Sequence, residues 1–298
     1  MSARPHDALF KKAFEAPEHA AGLLREALPA ELSAEVHWAD LTREAGSFVD
    51  PELADRHSDL LFSAPLGDGG GVDGSGPGAG GRAFLYLLLE HQSAPDPDMP
   101  LRMLVYQVRI WERFRKEHEG PLPPVIPVVV SHAPGGWKAP RSFWELLEPS
   151  PEEVPGLAAL VPRFELRVED LAAMNDAALR VRALELLPRL ALWALRDARN
   201  AETLLDGLTR WADTVREAVR SPSGLAALAI IARYIALVTG DVHLETLRDK
   251  LEDVAPEAKE TFMTIAEQMH RKGHAEGRSE GLAEGRTEGL AEGRTEGL

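Results

Sequence analysis

The sequence predicts an α/β fold, a sheet of mixed strand direction flanked by helices and followed by a mostly helical C-terminal region. Three observations carry this expectation. The first 150 residues alternate helical and strand-like patterns in the order helix, three strands, helix, strand. One strand-like stretch is an unbroken apolar or aromatic run, Phe84, Leu85, Tyr86, Leu87, Leu88 and Leu89, too short to cross a bilayer and suited to a strand buried on both faces. Residues 165–272 keep helical periodicity almost throughout, as in ALRVRALELLPRLALWAL and GLAALAIIARYIALV.

Taken in order, residues 7–28 place Leu9, Phe10, Ala13, Phe14, Leu23, Leu24 and Leu28 at helical spacing with Pro17 between, which predicts two short helices. LTREAGSFVD and RHSDLLFSAP then read as strands separated by the turn-rich DPELAD. Residues 67–81, GDGGGVDGSGPGAGG, have no side chains with which to build a core and read as a long loop joining the Asp59 strand to the Glu90 strand. After the turn segment SAPDPDMP, a helix is expected over Leu101–Glu119, with Leu101, Leu104, Val105, Val108, Ile110 and Trp111 on its buried side. PPVIPVVVSHAPGG supplies a further β-branched strand ending in a glycine turn. Hairpins can join the first three strands, whereas a strand that follows a helix joins in parallel through a crossover, so a mixed sheet results. The expected organisation is a sheet domain over 1–150, a helical region over 151–272 and a repeat tail over 273–298.

That tail repeats in fours, GHAE GRSE GLAE GRTE GLAE GRTE GL. Glycine at every fourth position costs a helix about 1 kcal/mol each relative to alanine, which favours a solvated extension. The same spacing would align the glycines on one helix face and let two copies of the chain pack closely, a route to a homo-oligomer. Both readings stand at this point.

Composition narrows the chemistry. The absence of cysteine excludes disulfides, thiolate metal sites and a cysteine nucleophile, so a metal would need oxygen or histidine ligands. His57, His91 and His132 lack the spacing of a zinc motif, and the glycine-rich insert lacks the Lys-Ser/Thr of a phosphate-binding loop. His6 and Asp7 stand at a helix start, where an aspartate commonly caps. No apolar stretch approaches membrane length and the N-terminus lacks an apolar signal core, so no membrane partner and a cytoplasmic location are expected. The net charge of −15 is spread along the chain, so a nucleic-acid enzyme would need a local basic patch. Arg102, Arg109, Arg113 and Lys116 recur near helical spacing and could supply one, or could be a solvated face.

The polar end of the apolar run is the chemical signal. Strand period places Glu90 and Gln92 on one face and His91 on the other. Asp59 precedes the apolar Leu60, Leu61 and Phe62, so pairing of the two strands would let a carboxylate from each converge with the Gln92 amide. Two carboxylates with carbonyl and water oxygens suit Mg²⁺ or Mn²⁺ and phosphate chemistry. Asp59 as a turn or cap acid is the plainer alternative.

SDLLF, LYLLLEHQS, LRMLVYQVRIWERF and the opening HDALFKKAF resemble the Rpn family, recombination-promoting nucleases also described as transposases, of the PD-(D/E)xK nuclease superfamily. The resemblance covers roughly residues 5–150. It implies a PD-(D/E)xK-type mixed sheet flanked by helices and a metal-dependent DNA endonuclease. Asp59 and Glu90 would bind the metal, with Gln92 at the position that lysine holds in most of the superfamily and glutamine commonly holds in this family. An amide neither accepts a proton from water nor brings positive charge. A cation from Lys11, Arg102 or Arg109 would then meet the phosphate. A catalytically silent interaction protein with the same sheet, self-associating through its tail, is the competing expectation.

Overall fold

The computed structural model describes residues 5–44, 60–67, 82–90, 96–221, 223–240 and 243–258, with 82–90 described as backbone. Two compact units divide it, Met1–Arg196 and Asp197–Leu298.

The first unit opens with helices α1 (Pro5–Phe14), α2 (Pro17–Ala27) and α3 (Ala30–Glu35). Proline at the start of α2 sits where a helix needs no amide donor, and it separates α2 from α1 as the sequence suggests. Strands β1 (Thr42–Arg43), β2 (Leu60–Pro65), β3 (Arg82–Glu90), β4 (Val125–Ser131) and β5 (Arg167–Asp170) form a sheet in that spatial order. The β1–β2 and β2–β3 pairs are antiparallel, while β3–β4 and β4–β5 are parallel. This is the mixed α/β sheet expected from the element order.

Between β3 and β4 runs α4 (Met99–Glu117). Its 19 residues span about 28 Å, close to the length of the nine-residue β3, so it can return the chain from the end of one strand to the start of its parallel neighbour. Met99, Met103, Tyr106, Ile110 and Phe114 pack with Leu61, Val125, Val129, Trp137 and Leu166 on one side of the sheet. Leu60, Phe62, Val128 and Val130 alternate with these, are buried, and project to the opposite side. Buried Leu9, Phe10, Phe14, Leu23 and Leu24 of α1 and α2 serve that second side, where the Arg167 Nε donates to the Ala27 carbonyl at 3.2 Å.

Two expectations need correction. Of the residues expected on the inner side of α4, only Ile110 is buried; Leu101, Val105 and Val108 are exposed, and Leu104 and Trp111 are half-buried. The helix carries two apolar stripes, and the one with two aromatics and two methionines fills the larger space against the sheet. The helical reading of 165–272 also missed β5. A four-residue strand with intermediate burial throughout leaves no pattern long enough to compete with helical periodicity around it.

The rest of the first unit holds α5 (Asp176–Arg180) and most of α6 (Leu186–Asp197). The second unit holds α7 (Ala201–Arg210), α8 (Ala212–Arg220), α9 (Gly224–Thr239) and α10 (Leu244–Val254), as the helical periodicity predicts. Trp211, fully buried, sits at the junction of α7 and α8, and Leu204, Leu208, Ile231, Ile235 and Leu251 complete the core of this unit. Gly224 begins α9 hard against the end of α8. A Cβ there would meet the Ala218 carbonyl oxygen at 1.6 Å, so backbone must move to admit any side chain. The repeat tail and residues 68–81 of the insert fall outside the described residues.

Gly224→Ala therefore destabilises the second unit by about 1–3 kcal/mol, the usual cost of forcing apart packed elements. Thermal unfolding followed by circular dichroism reads this as a lowered midpoint; an unchanged midpoint would show that α8 and α9 are not held in this contact.

Candidate active site at the carboxyl edge of the sheet

Three parallel strands end in one row. Glu90 closes β3 and is the register partner of Ser131, the last residue of β4, which in turn pairs with Asp170, the last residue of β5. The antiparallel β2 brings its first residue to the same edge, since Leu60 pairs with Leu87 shortly before Glu90. Carboxyl ends of parallel strands are where open α/β sheets commonly bind ligands, because the chain leaves the sheet there and frees polar groups from the ladder.

Of the predicted trio, Glu90 is placed, as backbone, at that edge; Asp59 and Gln92 lie outside the described residues, and Asp59 directly precedes Leu60 in the chain. The pairing of β2 with β3 on which the trio depends is present. Lys11 is exposed on α1. Arg102, near the start of α4, donates to Asp96 Oδ2 at 2.6 Å, so part of its charge is already met by a carboxylate. Arg109 is half-buried further along α4, and Arg113 bonds Glu117 at 3.0 Å within the helix. Among the described residues no three metal-capable side chains cluster together.

Sequence reasoning missed the groups that form the edge beside Glu90. Ser131 is fully buried and its Oγ accepts from the Ala133 amide at 3.3 Å. Asp170 accepts from the Trp137 amide at 2.8 Å through Oδ2 and from the Ala172 amide at 3.2 Å through Oδ1. It thereby ties the loop that leaves β4 to the turn that leaves β5. Gly136 makes this possible: its φ is +82° and a Cβ there would lie 2.9 Å from Asp170 Oδ2. His132, 2% exposed, follows Ser131, and its ring centroid is 5.2 Å from that of His6 at the start of α1. The sequence names both histidines, but their meeting depends on contacts across more than a hundred residues. The glycine pair after VVVSHAP was the available signal for a tight loop at the edge.

A family model described as "Putative transposase, YhgA-like" matches residues 4–224. The recombination-promoting nuclease RpnD of Escherichia coli O157:H7 is 28% identical over 271 residues, covering 89% of this chain and 94% of that protein. The recombination-promoting nuclease RpnA of Escherichia coli K12 is 28% identical over 277 residues, 92% of this chain and 86% of that protein. RpnE of the same strain, an inactive recombination-promoting nuclease-like protein, is 27% identical over 283 residues, 93% and 85% respectively. No solved structure matches.

Asp170→Ala removes the acceptor for two amides and is expected to cost about 1–3 kcal/mol. Hydrogen exchange at the Trp137 and Ala172 amides accelerates in the variant if Asp170 holds both loops; unaltered protection of both amides contradicts that role.

Proposed function

The chain belongs to the Rpn, YhgA-like family of recombination-promoting nucleases, and from that premise we propose that it is a metal-dependent DNA endonuclease that works at the carboxyl edge of its sheet. The observation that carries the reading is the register of β2 and β3, in which the start of one strand and the Glu90 end of the other share an edge. The proposed fold type is the PD-(D/E)xK arrangement, in which a carboxylate precedes one such strand and another ends its neighbour.

On this reading Asp59 and Glu90 hold Mg²⁺ or Mn²⁺. The donor set fits, since carboxylate oxygens are the hard ligands that such ions take. The ion, when bound, supplies an acidified water and positive charge beside a scissile phosphate. Gln92 contributes an amide that can orient water or phosphate by hydrogen bonds without changing its own charge. Lys11, Arg102 and Arg109 are the proposed phosphate contacts. Arg102 is also bound to Asp96. No described helix is long and apolar enough to cross a membrane, and the cytoplasm, where chromosomal DNA lies, is the proposed location.

The existence of a similar protein named as inactive favours a second reading, a sheet retained as a scaffold for interaction, with self-association through the repeat tail. Net charge of −15 points the same way.

Purified chain incubated with supercoiled plasmid and Mg²⁺ is expected to nick it, and EDTA is expected to stop the reaction. Asp59→Ala and Glu90→Gln should each lower the rate by about 10–100-fold or more, since loss of a metal ligand's outer support alone costs that much, while unfolding cooperatively. Cleavage retained by a folded Asp59→Ala chain eliminates the proposed site; no cleavage by the wild-type chain with either metal supports the scaffold reading.

A further inference from the structure

The turn HAPGGWK leaves β4 directly after Ser131, the register partner of Glu90. Two consecutive left-handed glycines shape it, Gly135 at φ +75° and Gly136 at φ +82°. The Gly136 amide closes the turn onto the Ala133 carbonyl at 3.1 Å, and Asp170 holds the Trp137 amide. Exposed Lys138 folds back over it, with Nζ 3.4 Å from the position that a Cβ on Gly135 would take.

We propose that this turn is a phosphate contact for DNA at the metal site, with the Lys138 ammonium supplying the positive charge that the Gln92 amide does not. The inference rests on the nuclease reading above. Three observations select Lys138. The first is the face of the sheet. Leu61 packs under α4 and its register partner is Tyr86, so strand alternation puts Glu90 at an α4-face position, and Trp137 joins the same cluster beneath α4. Lys11 belongs to α1, on the opposite face. The second is charge. In a chain of net charge −15, the segment from His132 to Leu147 carries Lys138 and Arg141 against Glu145 alone. Glu145 accepts the Arg141 and Ser142 amides, and neighbouring Asp170 accepts the Trp137 and Ala172 amides. Among the described residues Lys138 therefore meets no carboxylate, whereas Arg102 binds Asp96. The third is the bare backbone. The exposed Gly135 amide donates to no acceptor among the described residues and lies beside the ammonium. An accessible amide and a lysine charge at the carboxyl end of a parallel strand together suit a phosphate.

Binding of the full-length chain to a short fluorescent DNA duplex, with Ca²⁺ in place of Mg²⁺, tests this. Lys138→Gln, folded by circular dichroism, is expected to weaken binding alike on unrelated sequences. It should also reduce the dependence of log Kd on log salt by about one, the loss of one phosphate contact. Lys138→Arg is expected to retain both the affinity and the slope. Lys116→Gln, which alters an exposed lysine in the last turn of α4, is expected to change neither. Wild-type affinity and slope in Lys138→Gln, or an equal loss in Lys116→Gln, would overturn this inference and leave the nicking assay of the nuclease reading intact. A wild-type chain that neither binds nor nicks DNA would overturn both.

Discussion

The parallel pairing of β3 with β4 is the constraint on which the candidate site depends. Parallel neighbours run the same way, so the chain must return the full length of β3 before β4 can begin, and α4 is the segment that covers this distance. Once α4 is laid over the sheet, its inner residues bury Leu61 and Val129, and Glu90 comes to lie beside Ser131 at the edge from which the helix departs. Had β4 returned by a hairpin, its first residue would have stood beside Glu90 and the carboxyl edge would not exist. Core packing and site location are therefore one consequence of connectivity.

That edge is closed on its far side by charge held inside the protein. Arg182, 7% exposed, donates through Nε to Glu26 Oε2 at 2.5 Å and through Nη1 to Glu169 Oε2 at 2.8 Å. Glu26 also accepts from the Ala183 amide at 3.0 Å. A buried guanidinium is costly alone, and two carboxylates on different elements compensate it. They also join α2, β5 and the segment before α6 at one point. Because Glu169 is next to Asp170, the same strand end that receives Arg182 also holds the Trp137 loop. The short β5 thus keeps its place by polar contacts at its end more than by buried side chains, in keeping with intermediate burial along its length.

This division explains what was legible in the sequence. β2, β3 and β4 are predominantly apolar runs bounded by turn residues, and their local patterns are long enough to read, as is the crossover they require. Glu90 drew notice because a carboxylate rarely closes a long apolar run, and the register places its backbone at the carboxyl edge of the sheet. The inner face of α4 was misread because both of its stripes recur at helical spacing, and only the shape of the sheet beneath decides between Val105 and Tyr106. β5 was invisible for the opposite reason: Arg167, Val168, Glu169 and Asp170 acquire their roles from Ala27, Val129, Arg182 and Trp137, distant partners that leave no local signature. Ser131 and Asp170 were missed on the same account. Asp59 and Gln92 lie outside the described residues, so their part of the sequence reading rests on family resemblance and on the register of Leu60 with Leu87.

The chain's negative charge bears differently on the two functional readings. At physiological ionic strength an exposed charge is screened over about 8 Å, so a net charge spread along the chain matters less to a phosphate than the groups immediately around it. On the nuclease reading the groups proposed around the phosphate oppose one another: the cations Lys11, Arg102 and Arg109 would attract it, and ionised Asp59 and Glu90 would repel it. A divalent cation between the two carboxylates would reverse the sign of the repulsive part, so on the nuclease reading the metal governs DNA affinity as well as cleavage. A scaffold protein with the same residues has no such coupling. The electrostatics therefore separates the readings before any bond is cut: metal-dependent attraction of DNA belongs to one and indifference to metal belongs to the other.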